Sequence, residues 1–212
     1  MTVSTRFRLT DKAIRKALDA LSSQSDEIAK ALALVGYPAS RRREHSFESL
    51  ARIVVGQQLS TKAAATISQR TVDALGGEWL PEAVLRAAPE TLRAAGLSQQ
   101  KTGYLQSLAE AVISGSLVLD ALPRQSDEEV EAAITAIRGF GRWSAHMYMM
   151  FALGRPDIWP SGDLAVRVGF GRMMGWRDRP TEQTVIAEGA AFAPHRSALA
   201  LLCWHYYSEA PL

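Results

Sequence analysis

The chain has 212 residues, of which 47% are hydrophobic and 22% charged, and its formal net charge is +2. These values are ordinary for a soluble globular protein, and the overall charge hardly argues for a polyanionic partner. A single cysteine, Cys203, excludes a disulfide framework, a four-cysteine zinc site and a four-cysteine iron–sulfur cluster. Because the sequence has no signal segment and no apolar run of membrane-spanning length, we expect a reducing, soluble compartment, most simply the cytoplasm.

Apolar residues recur at helical spacing along the whole chain, and alternating β-branched runs are absent. The sequence therefore predicts an all-α fold, with helix starts marked by Ser, Thr and Pro and helix ends marked by Gly. One start is a complete capping-box pattern, Ser126-x-x-Glu129. The predicted helices cover residues 11–21, 28–35, 47–56, 61–75, 81–87, 89–95, 99–113, 127–138, 143–153, a helix that begins near 163, 181–189 and 194–207.

A glycine pair, Gly139-Phe140-Gly141, separates two of these helices. Glycines let the backbone turn tightly and approach another surface closely, and the free amides of a helix start favour an anion such as phosphate. A helix-hairpin-helix of this kind can hold one DNA strand through its backbone without reading the base sequence. For the glycine pair alone, an ordinary turn between two helices is the simpler alternative.

A carboxylate follows one helix later. Pro160 interrupts the chain, Ser161 is expected to cap the next helix, and Asp163 then falls in the first turn of that helix. The helix dipole and the free amides there favour the charged carboxylate, which suits stabilising a developing cation or orienting a water. Taken by itself, an aspartate in a first turn is more often a residue that stabilises the helix.

Trp143 lies directly after the glycine hairpin, in the first turn of the following helix. An aromatic residue on an apolar helix face usually belongs to the core. At this position a tryptophan could instead stack on a planar, electron-poor base, with a cation–π contribution.

Residues 136–167, AIRGFGRWSAHMYMMFALGRPDIWPSGDLAVR, resemble the helix-hairpin-helix, Gly/Pro-rich loop and Asp signature of a DNA glycosylase superfamily. The segment FESLARIVVGQQLSTKAAATI (47–67) is similar to a motif of one branch, the 3-methyladenine DNA glycosylase II family. Residues 92–109 resemble its GLSxxK-type turn, and HRSALALLCWHYY resembles its last helix. The resemblance runs from about Phe47 to the C-terminus and is to the compact form, without the N-terminal β-rich domain of larger members.

The resemblance implies two helical lobes, residues 46–138 and residues 1–45 plus 139–212, with a DNA- and base-binding cleft between them. It implies that Asp163 is the catalytic carboxylate. It implies a base pocket formed by Trp143, Trp204, Phe47 and Met147. The DNA contacts implied are Gly139, Phe140, Gly141 and Arg142 of the hairpin, together with Gln57, Gln58 and Leu59 of a loop that fills the gap left by a flipped nucleotide.

Within that loop, Gln58 is expected to be the residue that fills the gap. The backbone carbonyls of Thr135, Ile137 and Phe140 would hold a monovalent cation, Na⁺ or K⁺, and no cofactor is expected to be required. Strand-cutting relatives carry a lysine nucleophile just after the hairpin, where this chain has Trp143, so Schiff-base chemistry lacks its amine.

The expected function is that of a monofunctional DNA glycosylase that hydrolyses the N-glycosidic bond of alkylated purines, such as 3-methyladenine and 7-methylguanine, in base excision repair. Its partner would be double-stranded DNA with alkylated bases flipped out of the helix, and the working unit a monomer. The alternative is a non-catalytic helix-hairpin-helix protein that recognises damaged or branched DNA. That alternative leaves Asp163 unexplained, because a carboxylate that faces phosphate opposes binding to the backbone.

Overall fold

The computed structural model describes residues 8–210. Within that range the protein is helical and contains no β-strand, which confirms the all-α prediction. No helix in the same range is both long and apolar enough to cross a bilayer. The α-helices are α1 (Asp11–Ser22), α2 (Asp26–Val35), α3 (Phe47–Gly56), α4 (Thr61–Ala74), α5 (Pro81–Arg86), α6 (Pro89–Ala94), α7 (Gln99–Ile113), α8 (Asp127–Thr135), α9 (Arg142–Phe151), α10 (Leu164–Met173), α11 (Glu182–Gly189) and α12 (Arg196–Glu209).

Most helices begin at a hydroxyl side chain that accepts a hydrogen bond from an amide of the first turn. These amides have no partner inside the helix, so a Ser or Thr at the preceding position stabilises the start by about 1 kcal/mol. The predicted capping box is complete, because Glu129 Oε2 in turn accepts the amide of Ser126 over 2.7 Å. The capping residues are Thr10, Ser25, Ser46, Ser60, Ser98, Ser126 and Thr181.

The chain divides into two compact units. We call residues Arg43–Tyr148 the hairpin unit, and residues 8–42 with 149–210 the Asp163 unit. From the sequence, we expected the hairpin and the helix after it to group with the C-terminal residues. In the structure most of α9 lies in the hairpin unit, because Gln57 bonds to Gly139 and Ser144 and ties the hairpin to the end of α3.

The hairpin unit is organised around α7, which packs against α3, α5 and α6, while α3 also packs against α4. Leu50, Val54, Leu105 and Leu108 are fully buried in this unit. A 3-10 helix, Leu119–Arg124, connects α7 to α8 and was not predicted. This core fixes the two segments on which the candidate DNA contacts lie, the end of α3 and the hairpin before α9.

In the Asp163 unit the most extensive helix contact is between α10 and α12. Gly169 makes it possible, because a Cβ at this position would lie 2.2 Å from the carbonyl oxygen of Cys203. Cys203 is fully buried, as expected of a small hydrophobic residue, and burial raises the pKa of its thiol well above its ordinary value. The close approach of α10 to α12 brings the start of α10 next to Trp204.

Candidate active site

Asp163 is the N-cap of α10, so this helix begins two residues later than it would with Ser161 as its cap. Its Oδ1 accepts the amides of Ala165 over 2.9 Å and Val166 over 3.0 Å. Ser161, the expected cap, instead donates from its hydroxyl to Glu182 Oε1 over 3.2 Å. The carboxylate is therefore held by the amides of a helix start, where the helix dipole complements a negative charge.

A third donor reaches the same oxygen from another helix. The indole Nε1–H of Trp204 on α12 donates to Asp163 Oδ1 over 3.0 Å. Trp204 is only 9% exposed, and its ring packs against that of Phe151 with centroids 5.9 Å apart. The structure thus brings together two of the residues singled out in the sequence. It also gives Trp204 a contact with the carboxylate that the sequence did not indicate.

Arg41 is a third member of this site, and the sequence treated it only as part of a basic run. Its guanidinium carbon lies 5.6 Å from the centroid of the Trp204 ring. Partial loss of hydration lowers the pKa of Arg41, while the nearby negative charge of Asp163 acts to raise it. The Asp163 unit therefore carries a cation, an aromatic face and a carboxylate side by side.

The chain turns at the glycine pair, as predicted, but only one of the two glycines has a backbone conformation that other residues rarely adopt. Gly139 has φ of +92°, and a Cβ there would lie 2.0 Å from Cγ of Tyr104. Gly141 has no positive φ, and a Cβ there would meet nothing within 4 Å. Gly139 is needed for the turn, whereas Gly141 keeps the surface before α9 free of a side chain.

Helix α8 ends at Thr135 and not at the predicted Arg138. The amide of Ile137 bonds to the carbonyl of Ile134 over 3.1 Å, and the amide of Phe140 bonds to the carbonyl of Ile137 over 3.0 Å. These hydrogen bonds join residues three apart, as in a 3-10 helix, and turn the chain more tightly than an α-helix does. The hairpin therefore begins before Arg138. Phe140 as a whole is 4% exposed, and its amide is bonded to Ile137, so the DNA contact expected of it has little surface available.

The carbonyls expected to bind a cation, those of Thr135, Ile137 and Phe140, lie at the end of α8 and in this turn. Carbonyls at a helix end have no intrahelical donor, and neutral oxygens suit hard cations. The carbonyl of Ile137 already accepts one amide, and its second lone pair is compatible with a cation. Within residues 8–210, no group of three or more His, Cys, Asp or Glu side chains is placed to hold a metal ion.

The loop after α3 is held to the hairpin by Gln57. Its Nε2 donates to the carbonyl of Gly139 over 2.9 Å and to Ser144 Oγ over 3.2 Å. Its own carbonyl accepts Lys101 Nζ over 2.7 Å, and the same ammonium donates to the carbonyl of Val55 over 2.8 Å. Partial burial lowers the pKa of Lys101 from its ordinary value. Gln57 thus connects two segments of the protein, a role that the sequence did not reveal.

Gln58 and Leu59 are the members of this loop that face outward. Gln58 is the single non-glycine residue with positive φ, +56°, among residues 8–210. Such a conformation costs on the order of 1 kcal/mol, and Gln58 is exposed. Leu59 is 38% exposed.

At the start of α9, Arg142 and His146 both contact Glu131 of α8. Arg142 Nε donates to Glu131 Oε1 over 2.9 Å, and His146 Nε2 lies 3.1 Å from Glu131 Oε2. The side chain of Arg142 remains 61% exposed. The ion pair with Glu131 orients the arginine that is expected to contact DNA.

The remaining pocket candidates differ in exposure. Trp143, in the first turn of α9, is 37% exposed and can meet a ligand. Phe47 at the start of α3 and Met147 within α9 are each 6% exposed. These three residues lie in the hairpin unit, whereas Trp204 and Asp163 lie in the Asp163 unit.

Comparison with known proteins agrees with the signature residues. The model of the HhH-GPD superfamily of base excision DNA repair proteins matches residues 51–194. DNA-3-methyladenine glycosylase 1 of Schizosaccharomyces pombe is 34% identical over 197 residues, which cover 90% of this chain and 86% of that protein.

Solved structures agree as well. The S. pombe 3-methyladenine DNA glycosylase in complex with abasic DNA superposes with a TM-score of 0.82 at 35% identity, covering 89% of this chain and 95% of that one. A DNA-3-methyladenine glycosidase from Bacillus halodurans gives a TM-score of 0.77 at 32% identity, with 89% and 87% covered. The chain belongs to the HhH-GPD superfamily of base excision DNA repair proteins, in its 3-methyladenine DNA glycosylase branch.

Proposed function

We propose that this DNA glycosylase hydrolyses the N-glycosidic bond of alkylated purines in double-stranded DNA with Asp163 as its catalytic carboxylate, and does not cut the strand. The observation that carries the proposal is the arrangement around Asp163 Oδ1, which accepts two helix amides and the Trp204 indole N–H. Such a carboxylate is held in one orientation before substrate arrives, so little reorganisation is needed during the reaction.

The chemistry needs one carboxylate and no acid. A purine alkylated at N3 or N7 is cationic, so the C1′–N bond is already weakened and its electron pair leaves with a base that becomes neutral. The sugar then carries oxocarbenium-like positive charge, which the Asp163 carboxylate stabilises, as carboxylates do in glycoside hydrolysis. A water adds to C1′ and loses its proton, giving an abasic site and a free base.

Trp143 supports hydrolysis without strand cutting. A lyase needs an amine that forms a Schiff base with the sugar, and the residue after the hairpin is an indole. Lys101, in the same unit, donates to two backbone carbonyls at the end of α3. Trp143, which is 37% exposed, is the aromatic residue that we assign to contact with the flipped base. Trp204, Phe47 and Met147 stay predicted contacts of that base.

The proposed DNA contacts rest on the hairpin between α8 and α9, where Gly141 and Arg142 are exposed. We assign Gly139, Gly141 and Arg142 to the phosphates of one strand, together with the backbone of Phe140. A Na⁺ or K⁺ ion held by the carbonyls of Thr135, Ile137 and Phe140 would supply positive charge toward a phosphate. Gln58 and Leu59, the outward members of the α3 loop, would fill the space left by the flipped nucleotide. The S. pombe relative bound to abasic DNA supports DNA as the partner.

We take the working unit to be a monomer that acts in the cytoplasm. Binding of the hairpin to one strand and insertion of the α3 loop use residues of a single chain. The one cysteine is buried, as suits a reducing compartment.

The test is base release from methylated duplex DNA, with chromatographic identification of the released bases. Asp163→Asn keeps an oxygen that can cap α10 but removes the charge, so we expect release of 3-methyladenine and 7-methylguanine to fall by at least about a thousandfold while binding of abasic DNA is retained. Asp26→Asn, at an exposed first-turn position of α2, is the matched control and should act like the wild type. Near wild-type release by Asp163→Asn would refute the assignment, and a borohydride-trapped adduct with abasic DNA would refute the absence of lyase activity.

A further inference from the structure

Arg41 lies at the carboxylate site in a fixed position. It follows Ser40, whose amide donates to Asp11 Oδ1 over 2.6 Å and whose hydroxyl donates to the carbonyl of Leu9 over 2.8 Å. These bonds tie the connection after α2 to the start of α1. The backbone that carries Arg41 is therefore held in place, and the guanidinium extends over the face of the Trp204 ring at 5.6 Å.

Within residues 8–210 no group accepts a hydrogen bond from Arg41, in contrast to other arginines of the same unit. Arg196 makes a bidentate pair with Asp157, with Nε and Nη2 each 2.8 Å from a carboxylate oxygen. Arg167 donates twice to the carbonyl of Pro180. In the described part of the chain Arg41 makes no hydrogen bond and no ion pair, only the cation–π contact with Trp204. A guanidinium has five N–H donors, so this group is available to a ligand with acceptor atoms.

The surroundings favour the base of the flipped nucleotide as that ligand. Arg41 covers an aromatic face whose indole N–H is bonded to the catalytic carboxylate. Arg41 is exposed, so a ligand that approaches Trp204 and Asp163 can reach its guanidinium. A planar guanidinium suits the paired acceptor atoms on the edge of a purine.

We propose that Arg41 is a specificity-determining residue that allows this glycosylase to release neutral damaged purines, such as hypoxanthine and ethenoadenine, by donating hydrogen bonds to the departing base. The inference rests on the proposed function of the Asp163 site. When a neutral purine leaves, the electron pair of the C1′–N bond makes the base anionic, and it takes a proton from water afterwards. A cationic donor at the base lowers the energy of that charge.

A cationic base behaves differently. A 3-methyladenine or 7-methylguanine base becomes neutral as it leaves, so it develops no negative charge for Arg41 to stabilise. Before the bond breaks, the base and the guanidinium carry like charges, which disfavours their close approach. Arg41 should therefore speed the release of uncharged damaged bases. It should have no effect on the release of cationic bases, or slow it slightly.

The experiment measures single-turnover release, with enzyme in excess, from duplexes that contain hypoxanthine, ethenoadenine or 7-methylguanine. For Arg41→Gln we expect release of the two neutral bases to fall by about tenfold or more, and release of 7-methylguanine to stay within about threefold of wild type. Arg41→Lys keeps the positive charge but not the planar pair of N–H donors. Its release of the two neutral bases should therefore fall less than that of Arg41→Gln. Arg42→Gln removes the same charge one residue away and is the matched control, expected to behave like the wild type. Thermal unfolding checks that each variant is folded.

The outcomes separate the alternatives. An equal loss on neutral and cationic bases, with weaker DNA binding, would mean that Arg41 contacts a phosphate and would overturn the proposal. Unchanged release of neutral bases, or a wild type that releases only the cationic base, would also overturn it. A wild type that releases no alkylated purine would instead contradict the proposed function itself.

Discussion

The indole N–H of Trp204 donates to Oδ1 of Asp163 over 3.0 Å, between residues 41 positions apart in sequence. The two helix amides that share this oxygen fix the position of the carboxylate relative to α10, and Trp204 fixes it relative to α12. The orientation of the proposed catalytic carboxylate therefore depends on the packing of these two helices.

Trp204→Phe tests the positioning role, because phenylalanine keeps an aromatic ring but lacks the N–H. Hydrogen bonds to charged groups are worth about 1.5–3 kcal/mol, so we expect single-turnover release of 7-methylguanine to fall by about tenfold or more while DNA affinity changes little. The control is Trp159→Phe, which removes an indole N–H that donates to the carbonyl of Val185 over 2.8 Å. That variant should be less stable but release bases normally below its unfolding temperature. Wild-type rates for Trp204→Phe would contradict the assignment.

Gln57→Ala tests the connection between the α3 loop and the hairpin. The variant leaves the carbonyl of Gly139 and the hydroxyl of Ser144 without this donor, which we expect to lower the free energy of unfolding by about 1 kcal/mol and to weaken binding to abasic duplex DNA. Gln58→Ala is the matched variant on the exposed neighbour and should leave stability within about 0.5 kcal/mol while slowing base release. Urea unfolding and fluorescence anisotropy measure the two effects. If Gln57→Ala is as stable as wild type, the connection does not hold the hairpin.

Gly139→Ala and Gly141→Ala should separate folding from binding. At Gly139 the added methyl group meets the Tyr104 ring at 2.0 Å and the backbone has positive φ, so we expect a loss of about 3 kcal/mol. Gly141→Ala should fold normally but place a methyl group where the backbone approaches phosphate, and so weaken DNA binding. Adding Tyr104→Ala to Gly139→Ala should recover part of the stability, because it removes the clash but not the strained backbone. Equal unfolding temperatures for the two single variants would contradict the prediction that the turn requires a glycine at 139 but not at 141.

The contact between His146 and Glu131 predicts how stability changes with pH. Burial lowers the pKa of His146 below its ordinary value of 6.5, and the neighbouring carboxylate only partly opposes this. As the pH falls through 6.5, the unfolded state therefore takes up a proton before the folded state does, and stability decreases. For Glu131, burial would raise the pKa, but Arg142 and His146 lower it from 4.5, so its stabilising contribution is present above pH 4.5 and is lost at lower pH.

His146→Gln tests the histidine part of this prediction, since the amide can still donate to Glu131 but does not titrate. The free energy of unfolding, measured at about pH 7.5 and about pH 5.5, should fall less in the variant than in the wild type. The other three histidines of the chain are present in both proteins and cancel in the comparison. An equal decrease in the two proteins would show that His146 does not cause the pH dependence.

Local signals in the sequence predicted the helices well. The starts of α3, α4 and α7 were predicted at the right residue, because a cap bonds to an amide only three residues away. The end of α8 was predicted too late, because the hairpin begins with hydrogen bonds between residues three apart. A periodic apolar pattern does not reveal such bonds. The family signature likewise lies in contiguous residues, and its match over residues 51–194 confirmed the family.

The sequence by itself determined the all-α fold, the glycine hairpin and the aspartate that follows it, since each depends on interactions within a few residues along the chain. Only the tertiary structure decided that Asp163 shares its oxygen with Trp204, that Arg41 covers the Trp204 ring, and that Gln57 holds the hairpin across 82 residues of sequence. The reason is physical: side chains this far apart meet only when their helices pack. That packing depends on close approaches such as Gly169 against Cys203, which no local pattern specifies.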